Sequence, residues 1–265
     1  MAKRHTKADR RALRWLLTRA EAGDLDAAYD LALEYQRRND DVHADHWHRV
    51  AISAGNPQAL TNYGAFLGGR GQHREGLPFL VAAARAGDVL GACNAGVFCE
   101  ILGDDDGAEH WFRAAAAGGD ALGGRWLGHL LHRLGRFAEA APWLTAAAES
   151  GHAASAHLLA LHHEDDGDDF AAEYWYRVAA SCGDAGARNN LGLLLDRTGR
   201  TAEALRLWRA GAEDGHADSA DNLARALDAT GQRHEAGPRS RPAARERRPS
   251  GSSARPSPRR GSSRP

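Results

Sequence analysis

The sequence predicts an all-α fold, an α-solenoid of antiparallel helix pairs with a 32-residue repeat. Three observations predict it. Seven glycines, Gly23, Gly55, Gly87, Gly119, Gly151, Gly183 and Gly215, stand 32 residues apart. A fixed period of this size marks units that stack on their neighbours. Two apolar stripes with helical spacing recur between successive marker glycines. A second column, Asn39, Gly71, Gly103, Gly135, Gly167 and Gly199, lies halfway through each unit, where a residue tolerant of the left-handed conformation ends a helix.

Each unit opens one residue past its marker with Asp24, Asn56, Asp88, Asp120, His152, Asp184 or His216. The five Asp and Asn residues are good N-caps, since their side-chain oxygens accept from free helix N–H groups. The first helix of the unit, helix A, carries Leu31, Tyr63, Ala95, Leu127, Leu159, Leu191 and Leu223 at one stripe position. Four residues on come Tyr35, Leu67, Cys99, Leu131, His163, Leu195 and Leu227. Between them a tiny residue, such as Gly64, Gly96, Gly128 or Gly192, lets a second helix approach closely. After the turn, helix B carries Ala44, Gly76, Ala108, Ala140, Ala172 and Ala204. Three residues on lie Trp47, Phe79, Trp111, Trp143, Trp175 and Leu207, and four beyond those a further small residue. This small–large–small stripe predicts that Trp143 is buried between helices B of neighbouring units.

Trp15 precedes Gly23 as Trp47 precedes Gly55, so the chain is expected to open with a lone helix B near residues 9–21. Gly237-Pro238 halts the last helix B almost at its start. The expected organisation is a leader over 1–8, a repeat region over 9–236 and a disordered tail over 237–265. The repeat region comprises a half-repeat, six full repeats and a closing helix A.

Charge is uneven. Residues 238–265 contain nine Arg and one acid, Glu246, a balance of +8 against −1 for the whole chain, which leaves −9 for the remainder. The body is therefore acidic and the tail basic. The apolar run Trp15-Leu16-Leu17 is too short for a secretory signal, and no stretch approaches the length of a membrane span. Cys93, Cys99 and Cys182 form no CxxC pair, and reduced thiols fit a cytoplasmic protein.

The marks quoted above resemble Sel1-like repeats, relatives of the tetratricopeptide repeat. They are clearest in Asn190-Leu191-Gly192 with Trp208, and in Ala140, Trp143 and Ala147-Ala148. The resemblance covers residues 9–236. One departure is the short A–B turn, where a typical Sel1-like unit has an extended loop; on that point the chain is closer to a tetratricopeptide unit. The resemblance implies a right-handed superhelix with helix A lining the concave face, and a scaffold or adaptor that gathers other proteins.

By analogy with tetratricopeptide repeats, Arg125, His129, His132 and Arg133 of the fourth unit face the concavity. His157, Glu164 and Asp165 of the fifth do the same. One reading of this basic, imidazole-rich patch is a site for a carboxylate or phosphate of a partner. The other is a solvated face in which Arg133 pairs with Glu164. Protonation of the histidines below about pH 6.5 is expected to strengthen anion binding. Asn62, Asn94, Asn190 and Asn222 recur in helix A. They either bind the backbone of an extended peptide, as in resembling proteins, or satisfy neighbouring helices. Asn189, one residue earlier, is expected to face the groove more directly.

No catalytic constellation appears: there is no Walker loop, GxSxG elbow or HExxH. The histidine clusters match no zinc signature. No enzyme, cofactor or metal is expected. The expected function is a cytoplasmic scaffold binding a peptide or acidic segment of a partner protein. The alternative is a nucleic-acid-associated regulator using the basic tail, although an acidic body would repel phosphate.

Overall fold

The structure, a computed structural model, describes residues 7–53, 55–56 and 58–229. Most of the expected leader, the end of the closing helix (230–236) and the tail (237–265) lie outside the described residues. Among the described residues there are fourteen helices and no strand. In chain order they are α1 (Lys7–Glu21), α2 (Leu25–Arg37), α3 (Asp41–Ser53), α4 (Ala59–Gly69), α5 (His73–Arg85), α6 (Val89–Ile101) and α7 (Asp105–Ala117). There follow α8 (Ala121–Arg133), α9 (Phe137–Glu149), α10 (Ala153–Asp165), α11 (Asp169–Ser181), α12 (Ala185–Arg197), α13 (Thr201–Glu213) and α14 (Ala217–Ala229). Helix α1 is the lone opening helix B. The even-numbered helices are helices A, and the odd-numbered ones from α3 are their B partners.

The joints explain the period. Each marker glycine has φ between +86° and +91°, and the mid-unit glycines have φ between +74° and +82°. Only a residue without Cβ takes this conformation at no steric cost. At Gly87 the N–H bonds the Ala84 carbonyl at 3.0 Å and the Asp88 N–H bonds the Ala83 carbonyl at 3.0 Å, which together close α5 in a Schellman motif. The Asp88 carboxylate then accepts from Leu90 N–H at 2.9 Å and Gly91 N–H at 3.2 Å, opening α6. One residue thus ends one helix with its backbone and starts the next with its side chain. Helices of 13 residues, as in α8 and α9, alternate with three-residue joints to give the 32-residue unit.

Contacts divide the chain inside α12 into two compact units, Met1–Asn190 and Leu191–Pro265. In the first, each helix A packs on its own helix B and on the B before it, and successive helices A (α4 with α6, α6 with α8) also touch. The small position of helix A permits this approach. A Cβ added at Gly64 would stand 2.5 Å from Leu80, and one at Gly96 would stand 2.5 Å from Phe112. In the second unit α13 packs on α14, and Gly192 lies against the Trp208 ring.

The aromatic assignment in helix B needs correction. The fully buried large residues are Leu80, Phe112, Leu144, Tyr176 and Trp208, with His48 at the same position of the first unit. Each lies one residue after the position expected to fill the core. Trp47 is buried, but Phe79, Trp111, Trp143, Trp175 and Leu207 are half-buried. The expected burial of Trp143 is therefore corrected. Trp143 lies against Gly124 of its own helix A, where an added Cβ would stand 3.0 Å from the indole ring.

Candidate functional site

The helix A patch around α8 and α10 lies within the first unit. Among its cations, Arg133 is exposed and already neutralised, bonding Asp105 at 2.8 Å and Glu100 at 3.1 Å in the preceding repeat. Its expected partner Glu164 instead accepts from the Tyr176 hydroxyl at 2.6 Å. Arg125 makes no ion pair among the described residues; its guanidinium carbon lies 5.6 Å from the Trp126 ring centre.

The histidines are tied into the stacking of repeats. His129 Nε2 lies 3.0 Å from Ser155 Oγ, and Ser155 Oγ lies 2.9 Å from His152 Nδ1. The backbone N–H of Ser155 also donates to His152 Nδ1 at 3.2 Å. That nitrogen therefore carries no proton, and the directions of the remaining bonds follow. His129 Nε2–H donates to Ser155, the Ser155 hydroxyl donates to His152 Nδ1, and neutral His152 keeps its proton on Nε2. Ser155 is fully buried, so its hydroxyl bridges two helices rather than offering a nucleophile. Burial, aided by the nearby charges of His152, Arg125 and His132, pushes the His129 pKa down to about 4. Burial also lowers that of His132, with His162 as a second cause, and that of His152, with Arg125 as a second cause. The expected gain of charge below pH 6.5 is thus corrected for His129 and His132, since their charged forms are disfavoured by lost hydration and by neighbouring charges.

His157 completes the pattern. Its Nδ1 is 3.1 Å from Asp184 and its Nε2 is 3.1 Å from the Asn190 amide. Asn62 makes the corresponding bond four repeats earlier, donating to the Tyr29 hydroxyl at 2.6 Å. These two amides therefore lock one helix A to the preceding one. Asn189 is buried at 6% exposure rather than presented outward, because its position on α12 turns it into the packed side of the helix.

A second inter-repeat contact was not legible in single residues. The side chain six past a marker meets the cap residue of the next unit: Thr61 donates to Asp88 at 2.5 Å, and His157 meets Asp184. Cys93 similarly meets Asp120. Burial, with the Asp120 carboxylate beside it, pushes the Cys93 thiol up to about 12, which makes it an unreactive core group. Arg125 occupies this position in the fourth unit, and its counterpart is His152 instead of an acid. The signal was present in the sequence as a break in the Asp/Asn cap column. Among the described residues no cluster of acids, histidines or cysteines is placed to hold a metal ion, and no helix is long and apolar enough to cross a membrane.

No protein-family model matches the chain, and no curated protein matches it in sequence. Its structure is similar to that of c5321, a protective antigen of uropathogenic Escherichia coli strains displaying an SLR fold. The identity is 25% and the TM-score 0.68 over 85% of this chain and 53% of that one. The chain thus spans about half the length of that antigen. It is also similar to a Sel1 repeat protein from Oxalobacter formigenes, with 21% identity and a TM-score of 0.67 over 85% of this chain and 73% of that one. YrrB, a TPR protein with an unusual peptide-binding site, is similar at 18% identity and a TM-score of 0.54, over 69% of this chain and 97% of that one. Paired 13-residue helices, glycine-marked joints and these similarities together give the chain the helical-repeat fold of Sel1-like and tetratricopeptide-like proteins.

Proposed function

We propose that the chain is a cytoplasmic, non-catalytic scaffold that binds a segment of a partner protein on the concave face lined by helices A. The observation that carries this reading is the direct packing of successive helices A, α4 on α6 and α6 on α8. Such packing brings side chains of several repeats onto one continuous surface. The peptide-binding site of the similarly folded YrrB supports a peptide as the type of ligand. Arg125, His132 and Arg133 meet the partner. His129, His157, Asn189 and Asn190 hold the repeats in register beneath them.

The test begins with affinity capture from the native host and purification of the captured partner. Replacing Arg125→Glu and Arg133→Gln together is expected to weaken its binding about tenfold or more, near 1.4 kcal/mol. The melting temperature is expected to stay unchanged, because both side chains lie outside the core. Unaltered affinity would move the binding surface elsewhere.

A further inference from the structure

A cavity of about 430 Å³ opens between α8 and α9, lined among others by Leu122, Gly124, Arg125, Trp143, Ala147 and His152. Its volume falls within the range of ligand pockets. Most of its wall is apolar, and Gly124 provides the space beside the Trp143 ring.

Its polar groups are unevenly satisfied. Asp120 also lines the cavity, but its two carboxylate oxygens accept from Leu122 N–H at 3.2 Å and Gly123 N–H at 3.0 Å at the start of α8. The Arg125 guanidinium has no carboxylate partner among the described residues. His152 spends Nδ1 on Ser155, which leaves a proton on Nε2, and no acceptor for that proton occurs among the described residues. Two donors with no acceptor of their own among the described residues thus border a largely apolar cavity.

The same cleft two units earlier is an internal comparison. It measures about 500 Å³ and is lined by Gly55, Asn56, Leu60, Ala83, Gly87 and Asp88. There Asp88 stands where His152 stands, Thr61 replaces Arg125, and the two bond each other at 2.5 Å. The earlier cleft presents an acid with its donor already matched. The later one carries its acid at the helix cap, Asp120 in place of Asn56, where backbone N–H groups hold it, and adds a cation and an imidazole N–H that no acid matches.

From this contrast we infer that the α8–α9 cavity is an anchor pocket for a partner segment in which an Asp or Glu carboxylate adjoins an aromatic or large aliphatic side chain. The carboxylate accepts charge-assisted hydrogen bonds from Arg125 and a further bond from His152 Nε2–H. The neighbouring apolar side chain lies against Trp143 and Leu122. This inference rests on the scaffold reading and names the chemistry that its partner presents.

The isotope-labelled full chain would be titrated with two blocked dipeptides, Ac-Phe-Glu-NH2 and Ac-Phe-Gln-NH2. Shifts of the Trp143 indole and of the Gly151 and His152 amides would be followed by NMR. The Glu peptide is expected to bind roughly fivefold or more tightly than the Gln peptide, because only a carboxylate makes the charge-assisted bond. Arg125→Gln is expected to erase that difference, and Thr61→Ala in the earlier cleft is expected to preserve it. Equal affinity for the two peptides, shifts confined to the Thr61–Asp88 cleft, or no shift at all would overturn the assignment. Should Arg125→Gln fail to fold, the comparison of the two peptides on the unaltered chain still decides. If the dipeptides behave as expected but the captured partner ignores Arg125, the pocket stands and the proposed partner surface falls.

Discussion

His48 occupies a core position that later units fill with Leu80, Phe112, Leu144, Tyr176 and Trp208. It is fully buried, with ring centroids 5.4 Å from Tyr63 and 5.3 Å from Phe66. Neither ring nitrogen has a hydrogen-bond partner among the described residues. Burial pushes its pKa down to about 4, against the pull of Asp45. Between that value and the ordinary 6.5 the unfolded chain binds a proton that the native chain does not. The stability involved is complete above pH 6.5 and is lost as the pH falls toward 4, by roughly 3 kcal/mol. His129, also near 4, adds a loss in the same window. His48→Leu is expected to stabilise the chain at pH 7 by about 1–3 kcal/mol, the cost of leaving a buried polar group unpaired. It is also expected to flatten part of the pH dependence. Urea unfolding at pH 7 and pH 5 checks both effects, and an unchanged slope would mean that the ring is not held neutral by burial.

At the scale of the element, helix B separates pattern from burial. Leu144 is fully buried in α9, whereas its neighbour Trp143 is half-buried at the cavity. Leu144→Ala is therefore expected to cost about 2–5 kcal/mol, as core truncations do. Trp143→Ala is expected to cost less, because its ring already borders open space. Denaturant titration of the two variants decides, and a larger loss for Trp143 would restore it as the core anchor. The helices, the left-handed joints and the close A–B approach were legible because glycine and alternating residue size report them directly. The correct face of helix B was not. Positions three and four residues past the small residue lie on either side of the same stripe, so both fit the period. Only the neighbouring Gly124 and Gly128 decide which side the indole takes. The patch was legible as a column of charges, but its pairing was not. Arg133 reaches Glu100 and Asp105 only through the stacking register, which no local pattern encodes.

At the scale of the whole molecule, repeats that couple to their neighbours unfold in parts. Leu144→Ala is expected to raise amide hydrogen exchange first in α8, α9 and α10, with α2 and α3 keeping their protection. A uniform rise over every helix would show instead a single cooperative unit. The joints carry a further consequence. Because one residue after each marker glycine serves both the helix behind it and the helix ahead, the marker joints among the described residues have no linker that belongs to neither. A cut at one marker and a splice to another recreates the same turn, with its backbone bonds met. The gene can therefore gain or lose whole units by unequal recombination between like sequences without breaking a helix joint. It cannot gain or lose part of a unit so freely. Selection on such a chain acts on the number of copies as readily as on the residues within them.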